Sequence, residues 1–346
     1  MCSRRVESRD VSSPSTFRAR GDAARLARGA LVAVVSGALT AGVVLAIVLL
    51  RGNSGHTGTP TRTSAPLRSS LTPPSVVSPG FDGLALAAHN KDVLVGLGAQ
   101  PGGPLDVVVI PSDDTEVSPA DVRVEWQRRV VSGSAASSCG SGCLRFPLHV
   151  LAGTPSALLV TVGRPGRATV GVHVRFPARI PPRADVLFKT ARARMLRLPA
   201  LGMDETLGSG LSKPVVSRWW FQAPDRMRYS IAGGAKAVVV GTRRWDAFGG
   251  RWERSSTPRL RLPTFPWVRA RSARLLGSTR LGGRRVRVLA ALLPQAGPQE
   301  APAWFLLYVA RDGLVLRSRM FTTAHFMTDT YRDFGSAAPV RPPRDG

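Results

Sequence analysis

The stretch FQAPDRMRYSIAGGAKAVVVGTRRWDAFGGRWER, residues 221–254, decides the fold of this chain. Apolar and polar residues alternate along it, and glycine pairs and a Pro-Asp step separate the alternating runs. Alternation with period two is typical of strands that bury one face, and short breaks of this composition are typical of hairpins. The stretch therefore predicts consecutive antiparallel hairpins in a sheet with one apolar and one polar face.

The same pattern predicts eight strands of a meandering sheet across residues 215–334. A second short helix is predicted within residues 268–276 and ends at Gly277. The first helix precedes the sheet, and its single apolar stripe consists of Leu187, Ala191, Met195 and Leu198. Residues 183–335 are thus expected to form an α+β open half-barrel, in which an antiparallel sheet wraps around helices.

Bulky apolar residues fall on one parity of these strands, and arginine or glutamine falls on the other parity of several. The apolar face must be covered, either by the chain's own helices or by a ligand. From the sequence both readings stay open: a filled core, and a cavity that takes an acyl chain or another apolar ligand. For a cavity, the predicted lining is Trp219, Phe221, Met227, Tyr229, Ile231, Val238, Val240, Val286, Val288, Trp304, Leu306 and Tyr308.

Residues 83–177 contain short runs rich in Val and Leu between turn sequences such as PGGP, PSDD and RPGR. Five or more strands at this spacing predict an antiparallel β-sandwich. In VRVEWQ, alternation places Val122, Val124 and Trp126 on one side, so we expect Trp126 between the two sheets.

Residues 30–50 carry no charge over 21 positions, and at about 1.5 Å per residue a helix of this length spans the ~30 Å hydrocarbon core of a membrane. Seven arginines precede the run, and Arg51 alone follows it closely, which keeps the N-terminus in the cytoplasm. A cleaved signal peptide is the alternative, although the run is long for one and no A-x-A-like site ends it. Both interpretations export the remainder of the chain.

The formal net charge of +26 first suggests a polyanionic partner. Arginine accounts for 44 of the 48 basic residues, however, and the arginines are spread along the whole chain. A nucleic-acid surface would be a cluster on one element or face. Nucleic acid is therefore not predicted as a partner.

The cysteines of SSCGSGCLRF, Cys139 and Cys143, predict a disulfide because the exported part of the chain lies in an oxidising compartment. A copper or zinc site that also uses His149 and His173 is the alternative for this pair. Catalytic motifs are missing: the sequence has no G-x-S-x-G elbow, no H-E-x-x-H pair and no phosphate-binding loop between a strand and a helix. We therefore predict a protein without enzymatic activity and without a cofactor.

The cluster TAHFMTD, residues 323–329, brings His325 and Met327 to positions two apart. Both side chains are soft ligands that suit copper, and in a strand both would lie on the same face. They are the weak candidates for a metal site, weighed against an ordinary structural role in the last strand.

The motifs F-x-A-P-D-R-M-R-Y, V-V-V-G-x-x-R-W and A-R-D-G-L-V-L within residues 221–316 resemble the bacterial LolA/LppX/LprG-like lipoprotein-carrier superfamily. The stretch from VLVGLGAQPGGP to VHVRFPARIPP is similar to immunoglobulin-like modules of the FixH/YtkA type. The two in this order resemble the exported tail of some bacterial CopD-like copper-resistance proteins, although their polytopic membrane part is replaced by one hydrophobic run. The first resemblance implies a half-barrel that holds a lipid or an acyl chain on its concave side.

Together these observations predict a single-pass, membrane-anchored extracytoplasmic protein that binds a lipid or another apolar ligand. Its partners would be a membrane lipid or acyl chain and, through the N-terminal helix, the cell membrane; protein partners are undefined. The alternative is a non-enzymatic accessory or interaction module in envelope copper handling. The predicted organisation is a cytoplasmic basic tail (1–29), a transmembrane helix (30–50), a Ser/Thr/Pro/Gly linker (51–80), an immunoglobulin-like sandwich (81–180), a LolA-like half-barrel (183–335) and a disordered tail (336–346).

Overall fold

The structure is a computed structural model of the 346-residue chain. It describes residues 77, 80–90, 92–112, 117–140, 142–151, 155–164, 166–208, 213–295, 301–322 and 325–344. The predicted cytoplasmic tail and transmembrane helix, and nearly all of the predicted linker, lie outside these residues. Within the described part, no helix has the length and apolar character that crossing a membrane requires.

The first folded unit consists of two antiparallel sheets that share one core of Val and Leu side chains. One sheet has the order β1-β2-β3-β7-β6 and the other β5-β4-β8-β9. The predicted β-sandwich is thus confirmed, and Trp126 lies half-buried at the margin of its core. The strands are β1 (Leu84–Asn90), β2 (Val93–Ala99), β3 (Leu105–Pro111), β4 (Val122–Trp126), β5 (Arg129–Ser132), β6 (Ser137–Ser138), β7 (Cys143–Phe146), β8 (Ser156–Arg164) and β9 (Arg167–Phe176).

The second unit is one open antiparallel sheet of eleven strands, with the order β15-β14-β13-β12-β11-β10-β20-β19-β18-β17-β16. One helix of regular length, α1 (Asp185–Leu196), precedes it, and a short 3₁₀ turn, Pro266–Arg269, lies between β15 and β16. The strands are β10 (Ala200–Gly208), β11 (Val215–Gln222), β12 (Arg226–Ile231), β13 (Lys236–Val240), β14 (Arg243–Phe248), β15 (Arg251–Ser256), β16 (Arg271–Leu281), β17 (Arg284–Leu293), β18 (Ala303–Ala310), β19 (Val315–Thr322) and β20 (His325–Arg332).

The sheet has two faces with different covers. Helix α1 and the Pro266–Arg269 turn pack against one face, which we call the helix face. One large apolar cluster on this face joins the helix to strands throughout the sheet. On the outer face, which is the opposite one, the β-sandwich covers strands at the β16 end, and the chain around Val340 covers strands at the β15 end. The expected α+β half-barrel is confirmed, with a single helix in the described part rather than two.

The predicted second helix within residues 268–276 is wrong, because residues 271–281 form strand β16 at the edge of the sheet. The apolar residues of this stretch fit a helical stripe as well as a strand, and the pairing with β17 decides between them. Gly277 ends no helix; it lies inside β16, next to an irregularity in the β16–β17 register. A glycine inside a strand often marks such a site.

The sandwich docks tightly on the outer face of the large sheet. The indole of Trp304 in β18 is fully buried against the sandwich strand β2, and a Cβ on Gly96 would lie 2.4 Å from that ring. Glycine at position 96 therefore allows the indole to approach the strand backbone. A second link between the two units is Arg274 in β16, whose guanidinium donates to the backbone oxygen of Pro181 at 3.2 Å and to the carboxylate of Asp82 at 3.0 Å.

The predicted disulfide between Cys139 and Cys143 is present and closes the loop between β6 and β7. The carboxylate of Asp106 lies within 4.8 Å of both sulfur atoms. It is engaged by Arg145, whose Nε and Nη2 donate to its two oxygens at 2.8 and 2.9 Å. Since the thiols are consumed in the disulfide, this group does not offer the thiolate ligands that the alternative metal site needs.

Candidate functional site

The helix face of the large sheet is the candidate site, and the chain itself covers it. Helix α1 contributes Phe188, Ala191 and Met195, all buried against the sheet. The stripe begins at Phe188, whereas Leu187, predicted for this place, is half-buried. Ala191 and Met195 take the predicted positions in the apolar cluster, and Leu198 joins it from just beyond the helix.

The second cover is the segment that contains Trp267. Its indole is fully buried, stacks on the ring of Phe265 at a centroid distance of 5.3 Å and meets the ring of Phe188 edge-on at 6.1 Å. The Nε1–H of Trp267 donates to the hydroxyl of Tyr331 in β20 at 3.1 Å. Ring contacts and a directed hydrogen bond thus fix this segment on the sheet, whereas α1 is held mainly by its apolar side chains and by the backbone hydrogen bond from Ala184 to Ala273 at its N-terminal end.

Methionine is concentrated in this face. The apolar cluster of this face contains every methionine of the chain except Met1, namely Met195 in α1 and Met203, Met227, Met320 and Met327 in the sheet. Unbranched thioether side chains adapt to irregular and changing shapes more readily than branched aliphatic ones do. The helix face is therefore an apolar surface that can repack.

The predicted lining residues divide between the two faces. Trp219, Phe221, Met227, Tyr229 and Val286 are buried in the cluster of the helix face, and Ile231 and Tyr308 are half-buried against it. Val288 is half-buried opposite Tyr308 in the β17–β18 ladder. The remaining residues, Val238, Val240, Trp304 and Leu306, pack on the outer face.

This division corrects the prediction that all twelve residues share one face. In β13 the residues on the helix face are Ala237 and Val239, and Val238 instead packs with Trp245 on the outer face. In β18 both parities are apolar, because the helix face is covered by the chain and the outer face is covered by the sandwich. Alternation of apolar and polar residues shows which face a side chain lies on only where one face is exposed to solvent. It therefore fails in a strand that is buried on both faces.

A row of polar side chains crosses the helix face in the middle of the sheet. The strand register places Ser217, Glu205, Asp329 and Ser318 at directly paired positions on the neighbouring strands β11, β10, β20 and β19. Glu205 and Asp329 are thus cross-strand neighbours, and side chains at such positions lie within contact distance. Two carboxylates therefore meet inside a surface that is otherwise apolar.

Donors surround Asp329 on one side only. Its Oδ2 accepts hydrogen bonds from the hydroxyl of Ser318 at 2.9 Å and from that of Tyr331 at 3.2 Å. Its Oδ1 is buried and has no hydrogen-bond partner among the described residues. Burial and the neighbouring carboxylate of Glu205 raise the pKa of Asp329 to about 8. Asp329 therefore carries a proton at neutral pH.

Glu205 is held from the other side of the row. Ser217 Oγ donates to Glu205 Oε1 at 2.9 Å, and the indole nitrogen of Trp219 donates to Ser217 Oγ at 2.7 Å. Burial raises the pKa of Glu205, and the hydrogen bonds from Ser217 and Trp219 oppose that rise. The pair consequently shares its charge as two like carboxylates in an apolar site must, with one proton between them near neutral pH.

Sequence reasoning did not identify this carboxylate pair. Strand β10, which contains Glu205, reads ALGMDETLG and alternates poorly, so it is missing from the eight predicted strands. Asp329 lies between Thr328 and Thr330 in β20, where a half-exposed carboxylate is the ordinary expectation. The signal that does exist is alternation in MTDTYRD, which places Met327, Asp329 and Tyr331 on one face.

The weak metal candidates are not brought into a cluster. His325 and Met327 belong to β20, and both are buried. Among the described residues, His325 belongs to no group of three or more His, Cys, Asp or Glu ligand atoms. The methionines around Met327 pack as core side chains of the helix face.

No protein-family model and no curated protein matches the chain. Solved structures do, over somewhat less than half of it. LprF from Mycobacterium bovis is 10% identical, with 46% of this chain and 98% of that chain covered and a TM-score of 0.34. Lipoprotein LppX from Mycobacterium tuberculosis is 9% identical, with 45% and 99% covered and a TM-score of 0.36. A LolA superfamily protein from Nitrosomonas europaea is 11% identical, with 46% and 95% covered and a TM-score of 0.23.

Proposed function

We propose that this protein is an extracytoplasmic, membrane-anchored binding protein that holds an acyl chain or a similar apolar ligand on the helix face of its large sheet. The proposal rests on how little of the chain covers that face. In the described part of the chain, a sheet of eleven strands is closed on this side by one helix of 12 residues and the segment around Trp267. The protein acts by binding and has no catalytic step.

The ligand enters by displacing helix α1. Lifting the helix exposes Phe188 and Met195, which costs about 3 to 6 kcal/mol if each buried side chain contributes about 1.5 to 3 kcal/mol. An acyl chain that takes their place gains about 0.8 kcal/mol for each buried CH₂. Roughly four to eight methylene groups therefore offset the lost helix contacts. Chains of about ten or more carbons are expected to bind, and shorter ones are expected to fail.

The methionines support this exchange because they can follow a change in the shape of the space above them. The carboxylate pair limits what part of the ligand lies over the centre of the sheet. A free fatty acid would place a third carboxylate near Glu205 and Asp329, which like-charge repulsion disfavours. A chain whose polar end stays at the edge of the sheet, as in a membrane lipid, avoids this contact.

The test uses the full chain in membranes and a photoreactive acyl lipid that carries a diazirine on its chain. Mass spectrometry of the labelled protein is expected to find adducts on strands β11, β12 and β18, at side chains of the helix face. Adducts restricted to residues 30–50 would show contact with the bilayer and would refute binding by the folded part.

Two neighbouring alanines supply matched variants for this experiment. Ala291 and Ala290 in β17 are equally buried; Ala291 faces the helix cluster, and Ala290 faces the sandwich. Ala291→Met fills space on the helix face and is expected to reduce labelling, whereas Ala290→Met is expected to leave it unchanged in protein that keeps its near-ultraviolet circular dichroism. Equal labelling of both variants contradicts the proposed site.

A further inference from the structure

A separate cavity lies on the outer face of the sheet, at the end away from the β-sandwich. Its volume is about 440 Å³, and strands β11, β12, β13 and β15 and the C-terminal segment form its walls. The side chains that give it its chemistry are Trp220, Trp252, Arg228, Lys236, Arg341 and Arg344. We call this cavity the outer groove.

The outer groove is a built feature, since backbone contacts fix the segment that closes it. Val340 is fully buried and packs with Val238 and Trp245. Its backbone N–H donates to Oε1 of Gln222 at 3.0 Å, and its carbonyl oxygen accepts a hydrogen bond from Arg226 at 3.5 Å. The C-terminal segment therefore crosses the strands at a defined place and carries its arginines to the rim.

The cations of the outer groove have no acidic partner in the described part of the chain, and an indole positions one of them. The guanidinium of Arg228 lies 4.0 Å above the ring of Trp220, and its Nε is buried without a hydrogen-bond partner. Among the described residues, no carboxylate lines the groove and none of its four cations forms an ion pair. Asp204, on the outer face of the same sheet, is already bound by Arg218 and Arg332.

Unpaired cations that converge on a concave surface favour an anion of matching size. Guanidinium and ammonium groups bind phosphate oxygens, and the cavity volume falls within the range of small-ligand sites. Tryptophan pairs an apolar ring with a polar N–H and suits the boundary between acyl chains and headgroups. We propose that the outer groove binds the headgroup of an anionic phospholipid at the membrane surface.

The choice of a lipid headgroup over free phosphate rests on the proposed membrane anchorage of the chain, which keeps the groove close to such headgroups. The groove is independent of the ligand on the helix face, because the two sites lie on opposite faces of the sheet. A failure of acyl-chain binding on the helix face therefore leaves the headgroup proposal standing.

Lysine chemistry gives a direct test in the full chain. The sequence contains only four lysines; Lys236 lines the outer groove, and Lys189 is an exposed residue of α1 that serves as an internal control. The protein is reconstituted in vesicles of phosphatidylcholine or of an equal mixture of phosphatidylcholine and phosphatidylglycerol. Acetylation of each lysine by an activated acetate ester is then followed by mass spectrometry. In the anionic vesicles we expect Lys236 to react about fivefold more slowly relative to Lys189.

A matched pair of variants shows whether the groove is responsible. Arg228→Gln is expected to restore the reactivity of Lys236 in anionic vesicles, and Arg285→Gln, which removes an exposed arginine of β17, is expected to keep the protection. Equal slowing of Lys189 and Lys236, or equal restoration by both variants, would show a general attraction of a basic protein to the membrane and would overturn the site. Equal protection by millimolar inorganic phosphate in neutral vesicles would overturn the lipid as its source.

Discussion

Replacing Asp329 with Asn is the sharpest test of the proton that the carboxylate pair holds. Asn keeps the shape of the side chain, and its amide oxygen can still accept the hydrogen bonds that Ser318 and Tyr331 donate. Its uncharged amide takes the place of the uncharged, protonated carboxyl group of the wild-type protein beside Glu205. The variant therefore mimics the protonated state at every pH.

The expected size of the effect follows from the pKa of Asp329, which rises from 3.8 to about 8 on folding. Between these two values the folded protein binds more protons at this site than the unfolded chain does, so the free energy of unfolding falls as pH rises. The slope is about 1.4 kcal/mol per pH unit, which amounts to about 4 kcal/mol between pH 5 and pH 8. The contribution is complete below the unfolded pKa and is lost as pH passes the folded one.

The assay is thermal unfolding of the wild type and the variant at several pH values from 5 to 8. For a folded unit of 150–250 residues, about 4 kcal/mol corresponds to roughly 8 to 16 °C in Tm. We expect Asp329→Asn to gain about 4 kcal/mol of stability relative to the wild type as pH rises from 5 to 8, and to be the more stable protein at pH 8. A difference in Tm that stays constant over this range would refute a protonated Asp329.

Asp204→Asn is the matched control for the same experiment. Asp204 precedes Glu205 in β10 and lies on the outer face, where hydrogen bonds from Arg332, the largest cause, and from Arg218 lower its pKa. A lowered pKa gives a stability contribution that is present above the unfolded value and lost at low pH. Asp204→Asn should therefore destabilise the protein by a modest and constant amount between pH 5 and 8.

Three further predictions concern packing. Trp267→Ala removes a fully buried indole and is expected to lower the free energy of unfolding by about 3 to 5 kcal/mol, measured by urea unfolding. Gly96→Ala should cost about 1 to 3 kcal/mol in the same assay because its Cβ would collide with an indole of the large sheet, whereas Gly163→Ala, where a Cβ meets ordinary contacts, should cost clearly less. Reduction of the Cys139–Cys143 disulfide should cost about 2 kcal/mol, and no change in Tm on reduction would contradict this.

The sequence predicts the fold class well, because long runs of alternation separated by short turns have one interpretation. Strands β11, β12 and β17–β20 follow from such runs. Strands β10 and β16 do not, because β10 carries Asp204 and Glu205 side by side and β16 has the helix-compatible composition RSARLLG. Strand β10 is paired on one side with β20, which is distant in sequence, whereas β16 is paired, among the described strands, only with β17, which follows it after Gly282 and Gly283. The residues within β10 and β16 do not by themselves predict the strands with which they pair.

The site was predictable only in outline. The prediction succeeds in β11 and β12 because each strand has one solvent-exposed side, which makes the alternation of its residues informative. The correctly placed residues are Trp219, Phe221, Met227 and Tyr229. The carboxylate pair depends on a register between β10 and β20 whose central residues are more than 120 positions apart. Such a contact is a property of the assembled sheet and cannot be obtained from spacing.

The segments that pack on the two faces of the large sheet indicate which of them a ligand can displace. On the outer face, the buried indole of Trp304 anchors the sandwich, and Val340 anchors the C-terminal segment, so neither half of the sheet is free to move outward. On the helix face, Trp267 is tied to β20 by stacking and by its hydrogen bond to Tyr331. Helix α1 is held chiefly by the apolar side chains of its buried stripe. Since apolar contacts are the ones that an acyl chain replaces in kind, we expect the proposed ligand to displace α1 at the least cost in free energy.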